Sequence, residues 1–241
     1  MCIRDRLFNE GYSASGGTVH VRVPLCEEAI RLARLLLRLF PSEPEIMGLT
    51  ALLLLQHSRS PARLDADGNI VLLEEQDRGL WRGELIDEGH ELLQKALRHR
   101  RPGPYQIQAA IAGVHAHAKR AAETDWAEIA QLYAALEQHQ PSPVVTLNRA
   151  VAVSKVDGPA AALAMIEPLA APLAGYFHFF GVKGWLLKEL GRADEARAAF
   201  DRAIALANTP AEAAQIRQHI DRLKDGEQRR SGRGSAHPAE G

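Results

Sequence analysis

The stretch FGVKGWLLKELGRADEARAAFDRAIALAN, from Phe180 to Asn208, decides the expected fold. Its small, bulky, turn-glycine, small, aromatic and small residues follow the intervals of a tetratricopeptide unit: Gly184, Leu187, Gly191, Ala196, Phe200 and Ala203. Small side chains let two antiparallel helices approach closely, and bulky side chains fill the space beside them. The stretch therefore predicts a pair of packed helices.

The same spacing recurs upstream. Ala162 lies 34 residues before Ala196, with Ala150 twelve residues before it and Ile166 four residues after it. A third pair, at 105–139, has a comparable size but keeps the pattern poorly. Because about three pairs suffice for a solenoid to bury its faces, we predict an all-α fold. Its antiparallel helix pairs are expected to stack as a tetratricopeptide-like solenoid over 102–224.

Helix-capping signals support this prediction for the C-terminal half. Asp125 with Glu128, Ser142 before Pro143, and Thr209 with Glu212 are typical helix starts. Helices are expected at about 105–120, 125–139, 143–155, 159–169, 172–190, 192–206 and 210–224. Residues 225–241 lack large apolar side chains and are expected to be disordered.

Residues 7–101 are expected to form a helical N-terminal part. Apolar residues keep the helical period from Cys26 to Phe40, and Ser42 with Glu45 predicts a capping box for a second helix. A turn signal at Asp67 and Gly68 predicts one short turn or hairpin excursion near 61–73. Residues 1–6, MCIRDR, resemble translated sequencing adapter, so we expect the native chain to begin upstream of Leu7.

Composition excludes several classes of function. With 29 basic and 30 acidic residues among 241, the chain has no polybasic field for nucleic acid or an anionic membrane. Two cysteines cannot build a disulfide framework and favour the cytoplasm. No apolar run approaches the ~20 residues of a membrane span, so no membrane partner is expected.

The sequence offers little enzyme chemistry. His115 and His117 are two apart on a predicted helix, so they cannot share a metal and are expected at the surface. The spacing of Asp65, Asp67 and Asn69 hints at calcium, but Ile70 and Gln76 occupy positions where an EF-hand needs Gly and Glu: a plain turn is favoured. No phosphate loop or nucleophile elbow occurs. We therefore expect no catalytic site, metal or cofactor.

Two sets of polar residues are considered as candidates for an interface with a partner. Asn148 and Arg149 lie in an otherwise apolar helix and must meet solvent, a neighbouring loop or a partner. Arg31, Arg34 and Arg38 form a stripe, for which a solvated face is the default expectation.

Several longer segments carry a family resemblance. They are FNEGYSAS (8–15), CEEAIRLARLL (26–36), ARLDADGNIVLLEEQDRGLW (62–81), RPGPYQIQAAIAGVHA (101–116), TDWAEIAQLY (124–133) and PSPVVTLNRAVAV (141–153). Together they resemble the helical C-terminal extension of a group of bacterial extracytoplasmic-function (ECF) sigma factors. The matching residues, as family signatures or possible interface positions, are Phe8, Asn9, Glu10, Gly11, Tyr12, Asp125, Trp126, Asn148 and Arg149.

The resemblance implies a part in transcription initiation. In such sigma factors, RNA polymerase core and promoter DNA are bound by N-terminal regions that this sequence does not contain, so it is expected to be an N-terminally truncated fragment. The extension is expected to regulate sigma activity through contacts with the sigma regions of its own polypeptide, and a small YCII-related protein is a candidate partner. The alternative is a free-standing tetratricopeptide-like adaptor, or a helical enzyme unrelated to transcription.

Overall fold

The computed structural model describes residues 23–66, 71–210, 212–214, 216, 217 and 220, and no β-strand occurs among them. The expected all-α class is confirmed. The α-helices with defined bounds are α1 (Val23–Leu39), α2 (Pro44–Ser58), α3 (Gly83–Leu97), α4 (Pro104–His117), α5 (Trp126–His139), α6 (Pro143–Val156), α7 (Pro159–Ile166), α8 (Phe177–Glu189) and α9 (Ala193–Leu206). Short 3-10 turns cover Ser60–Ala62, Arg78–Leu80, Ala121–Glu123 and Glu167–Leu169.

The central helix of the N-terminal half is α2. Ten of its fifteen residues are apolar, and Leu53, Leu54 and Leu55 are at most 1% exposed. Glycines permit close helix packing around it: a Cβ on Gly48 would lie 2.7 Å from the Gln106 nitrogen of α4. A Cβ on Gly89 of α3 would lie 2.8 Å from Leu55 Cγ. Helix α2 therefore packs closely against both α3 and α4.

The capping box expected at Ser42 and Glu45 is wrong. Glu43 is the N-terminal cap of α2, and its side chain makes no capping hydrogen bond. The Glu45 carboxylate instead accepts the backbone N–H groups of Tyr105 and Gln106, at 3.0 and 3.1 Å. It thereby caps α4, where unpaired N–H groups and the helix dipole both favour a negative charge.

The excursion between α2 and α3 contains a chain reversal. The N–H of Val71 donates to the carbonyl oxygen of Arg63 at 2.8 Å, which brings the two sides of the predicted turn together. Asp67 and Gly68, which carried the turn signal, lie outside the described residues.

Helices α8 and α9 pack as their small residues predicted. A Cβ on Gly184 would lie 2.6 Å from the Phe200 ring, so only glycine permits this contact. Gly191 has a φ of 74°, and the following N–H of Arg192 bonds back to Leu187 at 2.9 Å. This arrangement ends α8 with a left-handed glycine. In the preceding pair, Ala150, Ala162 and Ile166 are all fully buried in the same core.

Most helix boundaries in this half lie where the capping signals predicted them. Asp125 Oδ1 accepts the Glu128 N–H at 2.9 Å, and Ser142 Oγ accepts the Val144 N–H at 3.3 Å. Thr209 and Glu212 form the predicted reciprocal cap, at 3.3 and 3.2 Å. The helix expected from 172 begins instead at Phe177 (α8), because 170–176 is a series of turns. The tail at 225–241 lies outside the described residues.

Candidate functional site

A cavity of about 690 Å³ lies among α2, α4, α5 and α6. Its apolar walls include leucine, isoleucine and valine side chains from all four helices. Its polar groups also come from all four helices, and from Arg59 directly after α2. The polar lining residues are Gln56, Arg59, Tyr105, Gln108, His115, Tyr133, Gln140, Ser142 and Asn148. A cavity of this size with a few convergent polar groups has the usual character of a small-molecule site.

Arg59 supplies positive charge to the cavity. Among the described lining residues it is the only side chain that is ionised at neutral pH, and none is a carboxylate. Its Nη2 donates to Gln56 Oε1, and its guanidinium carbon lies 5.9 Å from the centre of the Trp81 ring. Burial lowers the pKa of Arg59 to about 10, and Tyr133 acts in the opposite direction. The guanidinium thus remains charged at neutral pH although it is poorly hydrated.

Tyr133 faces the same cavity from α5. Burial raises the pKa of its phenol to about 12, while the charge of Arg59 works against that rise. The hydroxyl is therefore neutral at physiological pH, and it can both donate and accept a hydrogen bond.

The structure corrects the expectation that His115 lies at the surface. Its ring lines the cavity, meets the Trp126 ring edge-on at 5.3 Å, and has a buried Nδ1 with no hydrogen-bond partner among the described residues. Burial, followed by the charges of Arg59 and Arg78, lowers the pKa of His115 to about 4. His117 is exposed as expected. The two-residue spacing correctly separates the rings but does not determine which one faces the interior.

Arg78 supports the wall of the cavity that α4 forms. Its Nη1 donates to the carbonyl oxygens of His115 and Ala118, at 2.5 and 2.6 Å, and its Nη2 donates to Thr124 Oγ1 at 3.2 Å. Its guanidinium carbon lies 4.9 Å from the centre of the Trp81 ring. These bonds satisfy carbonyl groups at the C-terminal end of α4. Arg78 thereby ties the excursion to the helix that carries His115.

The signature residues fall into separate groups. Trp126 contacts His115, and Asn148 lies exposed on the cavity lining. Asp125 caps α5, so its capping role is confirmed. Arg149 donates to Glu137 at 2.8 Å, which holds α6 against α5. Phe8, Asn9, Glu10, Gly11 and Tyr12 lie outside the described residues.

The arginine stripe of α1 is solvated, as expected. Arg31, Arg34 and Arg38 are all exposed. Arg31 pairs with Glu28 at 2.7 Å and Arg34 with Glu88 at 2.5 Å. Exposed pairs of this kind contribute little to stability, and they leave no concentrated positive field on the helix.

No group of three or more potential metal ligands occurs within the described part of the chain, and the predicted turn at Asp67 and Asn69 lies outside it. None of the described helices combines the length and apolarity needed to cross a bilayer.

Comparisons with known proteins give two matches. Residues 5–97 match the profile of a family of unknown function (DUF6596). An uncharacterized protein of Rhizobium meliloti (strain 1021) is 67% identical over 217 residues, which are 90% of this chain and 51% of that protein. The chain thus spans about half the length of this relative. No solved structure matches.

The DUF6596 match ends where α3 ends, at Leu97. Arg59, Arg78 and Trp81 therefore lie within the matched part, whereas His115 and Asn148 lie beyond it. The cavity is built from both sides of this boundary.

Proposed function

We propose that the chain is the helical extension of an ECF sigma factor and regulates transcription initiation in the bacterial cytoplasm through protein contacts. One observation carries the proposal. Four separate segments that resemble the sigma-factor extension contribute to a single cavity, through Leu73 (62–81), His115 (101–116), Tyr133 (124–133) and Asn148 (141–153).

The residues that line the cavity favour a binding site as the reason for the resemblance, over helix packing alone. A resemblance that reflected helix packing alone would concentrate on buried small residues such as Ala150 and Ala162. The segments also supply the polar groups of His115, Tyr133 and Asn148. They include Arg78 as well, which donates to the carbonyl oxygen of His115. Polar groups gathered in a cavity are costly to desolvate, so they are typical of binding sites.

We further propose that α4–α9 form a tetratricopeptide-like solenoid. Successive helices pack against one another along this part of the chain. The tight contact of Gly184 with Phe200 and the left-handed Gly191 are the features expected of one repeat. Stacks of such pairs typically bind proteins along an extended surface.

The charge distribution fits a module that contacts protein and leaves DNA to other regions. The formal net charge is −1, and the α1 arginines are exposed or paired with glutamates. The part of the Rhizobium meliloti relative outside the similar segment is about as long as that segment. It is long enough to hold two promoter-recognising regions.

Reconstitution of that relative tests the proposal. The full-length protein is mixed with RNA polymerase core, and co-elution and run-off transcription from its own upstream region are measured. We expect core binding and transcription that changes several-fold when the segment similar to this chain is deleted. A full-length relative that neither binds core nor directs transcription would contradict the proposal and favour a free-standing adaptor or enzyme.

The isolated 241-residue chain offers a second test. Because it lacks a basic field, we expect no sequence-specific binding to promoter fragments at physiological salt. Fluorescence anisotropy with the same promoter fragments measures this directly. Saturable, sequence-specific binding would show that the chain reads DNA itself.

A further inference from the structure

We infer that a surface patch at the C-terminal ends of α1 and α3 binds an acidic protein segment that also carries apolar side chains. The exposed residues of this patch are Arg38, Leu39, Phe40, Leu97, Arg98 and Arg100. None of them lines the cavity among α2, α4, α5 and α6. The inference does not depend on the role in transcription.

Helix α2 brings the two ends of the patch together. Helix α3 runs antiparallel to α2, and the N–H of Arg82 donates to the carbonyl oxygen of Ser58 at 3.0 Å, where α2 ends and α3 begins. The last turn of α3 therefore lies beside the start of α2, which follows the end of α1 after a short turn. The ion pair of Arg101 with Glu43, at 3.5 Å, links these two parts of the chain directly.

Exposed apolar side chains concentrate on the patch. Six large hydrophobic residues are exposed in the described part of the chain, and three of them are Leu39, Phe40 and Leu97, at 63%, 55% and 52%. A fourth, Leu35, lies one helical turn before Leu39. Isolated exposed hydrophobic residues are common, whereas a cluster rimmed by polar groups is typical of an interaction site. The patch therefore offers a surface on which a partner can bury apolar groups.

The charge of the patch favours an acidic partner. Arg38, Arg98 and Arg100 are exposed and form no ion pair or side-chain hydrogen bond with another described residue. The carboxylates at the start of α2 do not compensate them, because Glu43 is held in its own ion pair and Glu45 caps α4. Three positive charges around apolar side chains are complementary to a segment with both acidic and apolar residues.

The backbone of Arg100 gives independent support. Its φ is 53°, and it is the only non-glycine residue with a positive φ in the described part of the chain. Glycine adopts this left-handed conformation readily, whereas a residue with a Cβ is strained there. The exposed side chain of Arg100 makes no bond to a described residue that would offset the strain. Strain that the fold does not explain is typical of functional positions.

The same features disfavour nucleic acid and membrane as ligands. Nucleic acid is bound by extended fields of basic residues that contact phosphates, and exposed leucine and phenylalanine add nothing to such contacts. A membrane-bound helix lies with a long apolar face in the bilayer interface. The apolar face of α1 is instead buried against α2, and only its end is exposed. A protein segment uses both kinds of group, since arginine and aromatic residues are frequent anchors at protein interfaces.

A matched pair of synthetic peptides tests the inference with the full chain. One peptide is an amphipathic helix with leucines on one face and glutamates on both flanks, and the other has lysine at every glutamate position. Fluorescence anisotropy measures the binding of each labelled peptide. We expect saturable binding of the acidic peptide, weakened several-fold by high salt, and no saturable binding of the basic peptide.

Surface variants locate the bound peptide. Leu39→Ser combined with Phe40→Ser should weaken binding of the acidic peptide by about tenfold or more. Arg38→Gln combined with Arg98→Gln should weaken it by about threefold to tenfold. The matched controls are Val156→Ser, at a residue that is 49% exposed, and Arg120→Gln, at an exposed arginine. Both controls should leave the affinity unchanged.

Arg100→Gly separates binding from folding. Because glycine relieves the left-handed strain, this variant should melt at or above the temperature of wild type, yet bind the acidic peptide about threefold more weakly. The inference is overturned if the acidic peptide does not bind saturably, if both peptides bind alike, or if Leu39→Ser with Phe40→Ser keeps wild-type affinity. Tighter binding of duplex DNA or of phosphatidylglycerol vesicles, lost in the same variants, would overturn it in favour of nucleic acid or membrane.

Discussion

Acid is expected to destabilise the cavity through His115. The pKa of this ring falls from 6.5 to about 4 in the folded chain, through burial and then the charges of Arg59 and Arg78. Because the unfolded chain binds more protons between these two values, stability is lost as the pH drops through that window. The full shift corresponds to at most about 3 kcal/mol, of which about 2 kcal/mol falls between roughly pH 7.5 and pH 5.

A matched variant isolates this contribution from that of other histidines. His115→Gln removes the titrating ring, so the stability difference between wild type and variant should shift against wild type by about 2 kcal/mol over that pH range. Urea denaturation followed by tryptophan fluorescence measures the difference, since Trp126 contacts the ring. His117→Gln, at an exposed histidine, is the matched control.

A stability difference between wild type and His115→Gln that does not change with pH would contradict the lowered pKa of His115. An NMR titration that places the His115 pKa at or above 6.5 would do the same. Either result would mean that water or a partner group solvates the buried Nδ1, and that the field of Arg59 and Arg78 does not reach the ring.

Three further predictions concern the scaffold. Glu45→Gln should lower the free energy of unfolding by about 1 kcal/mol, because it weakens the charged cap of α4; an unchanged urea midpoint would contradict that role. Gly184→Val should cost about 2 kcal/mol, because the new Cβ would lie 2.6 Å from the Phe200 ring; a melting temperature equal to wild type would show that the helices separate easily. The Cys26 thiol, whose pKa burial raises to about 11, should react with Ellman's reagent only on unfolding in a Cys2→Ser background, and rapid labelling of the native chain would contradict its burial.

Local signals were enough to predict much of the helical scaffold. The caps at Asp125 and Ser142 depend on residues within one turn, and the structure confirms both. The spacing of Gly184 and Phe200 identified their helix pair, because close packing requires a small residue opposite a large one. The turn series before α8 escaped prediction, since 172–176 keeps an apolar composition without forming helix.

The cavity could not be predicted in the same way. Glu45 has the local spacing of a capping box, yet it caps a helix sixty residues later, a pairing that only tertiary packing creates. Arg59 and His115 belong to different helical segments, and no periodicity in the sequence brings them together. The family resemblance included His115 and Trp126 within its segments, but it did not indicate that their rings touch.

Transcription by a chimera tests the central claim most directly. The similar segment of the Rhizobium meliloti relative is replaced by this chain, which 67% identity makes structurally reasonable, and run-off transcription is measured with RNA polymerase core. We expect the chimera to transcribe like its parent, and Asn148→Trp within it to change the transcript yield several-fold while core binding is kept. A regulatory role for this cavity would be contradicted if the relative does not support polymerase-dependent transcription. It would also be contradicted if Asn148→Trp leaves the transcript yield of the chimera unchanged.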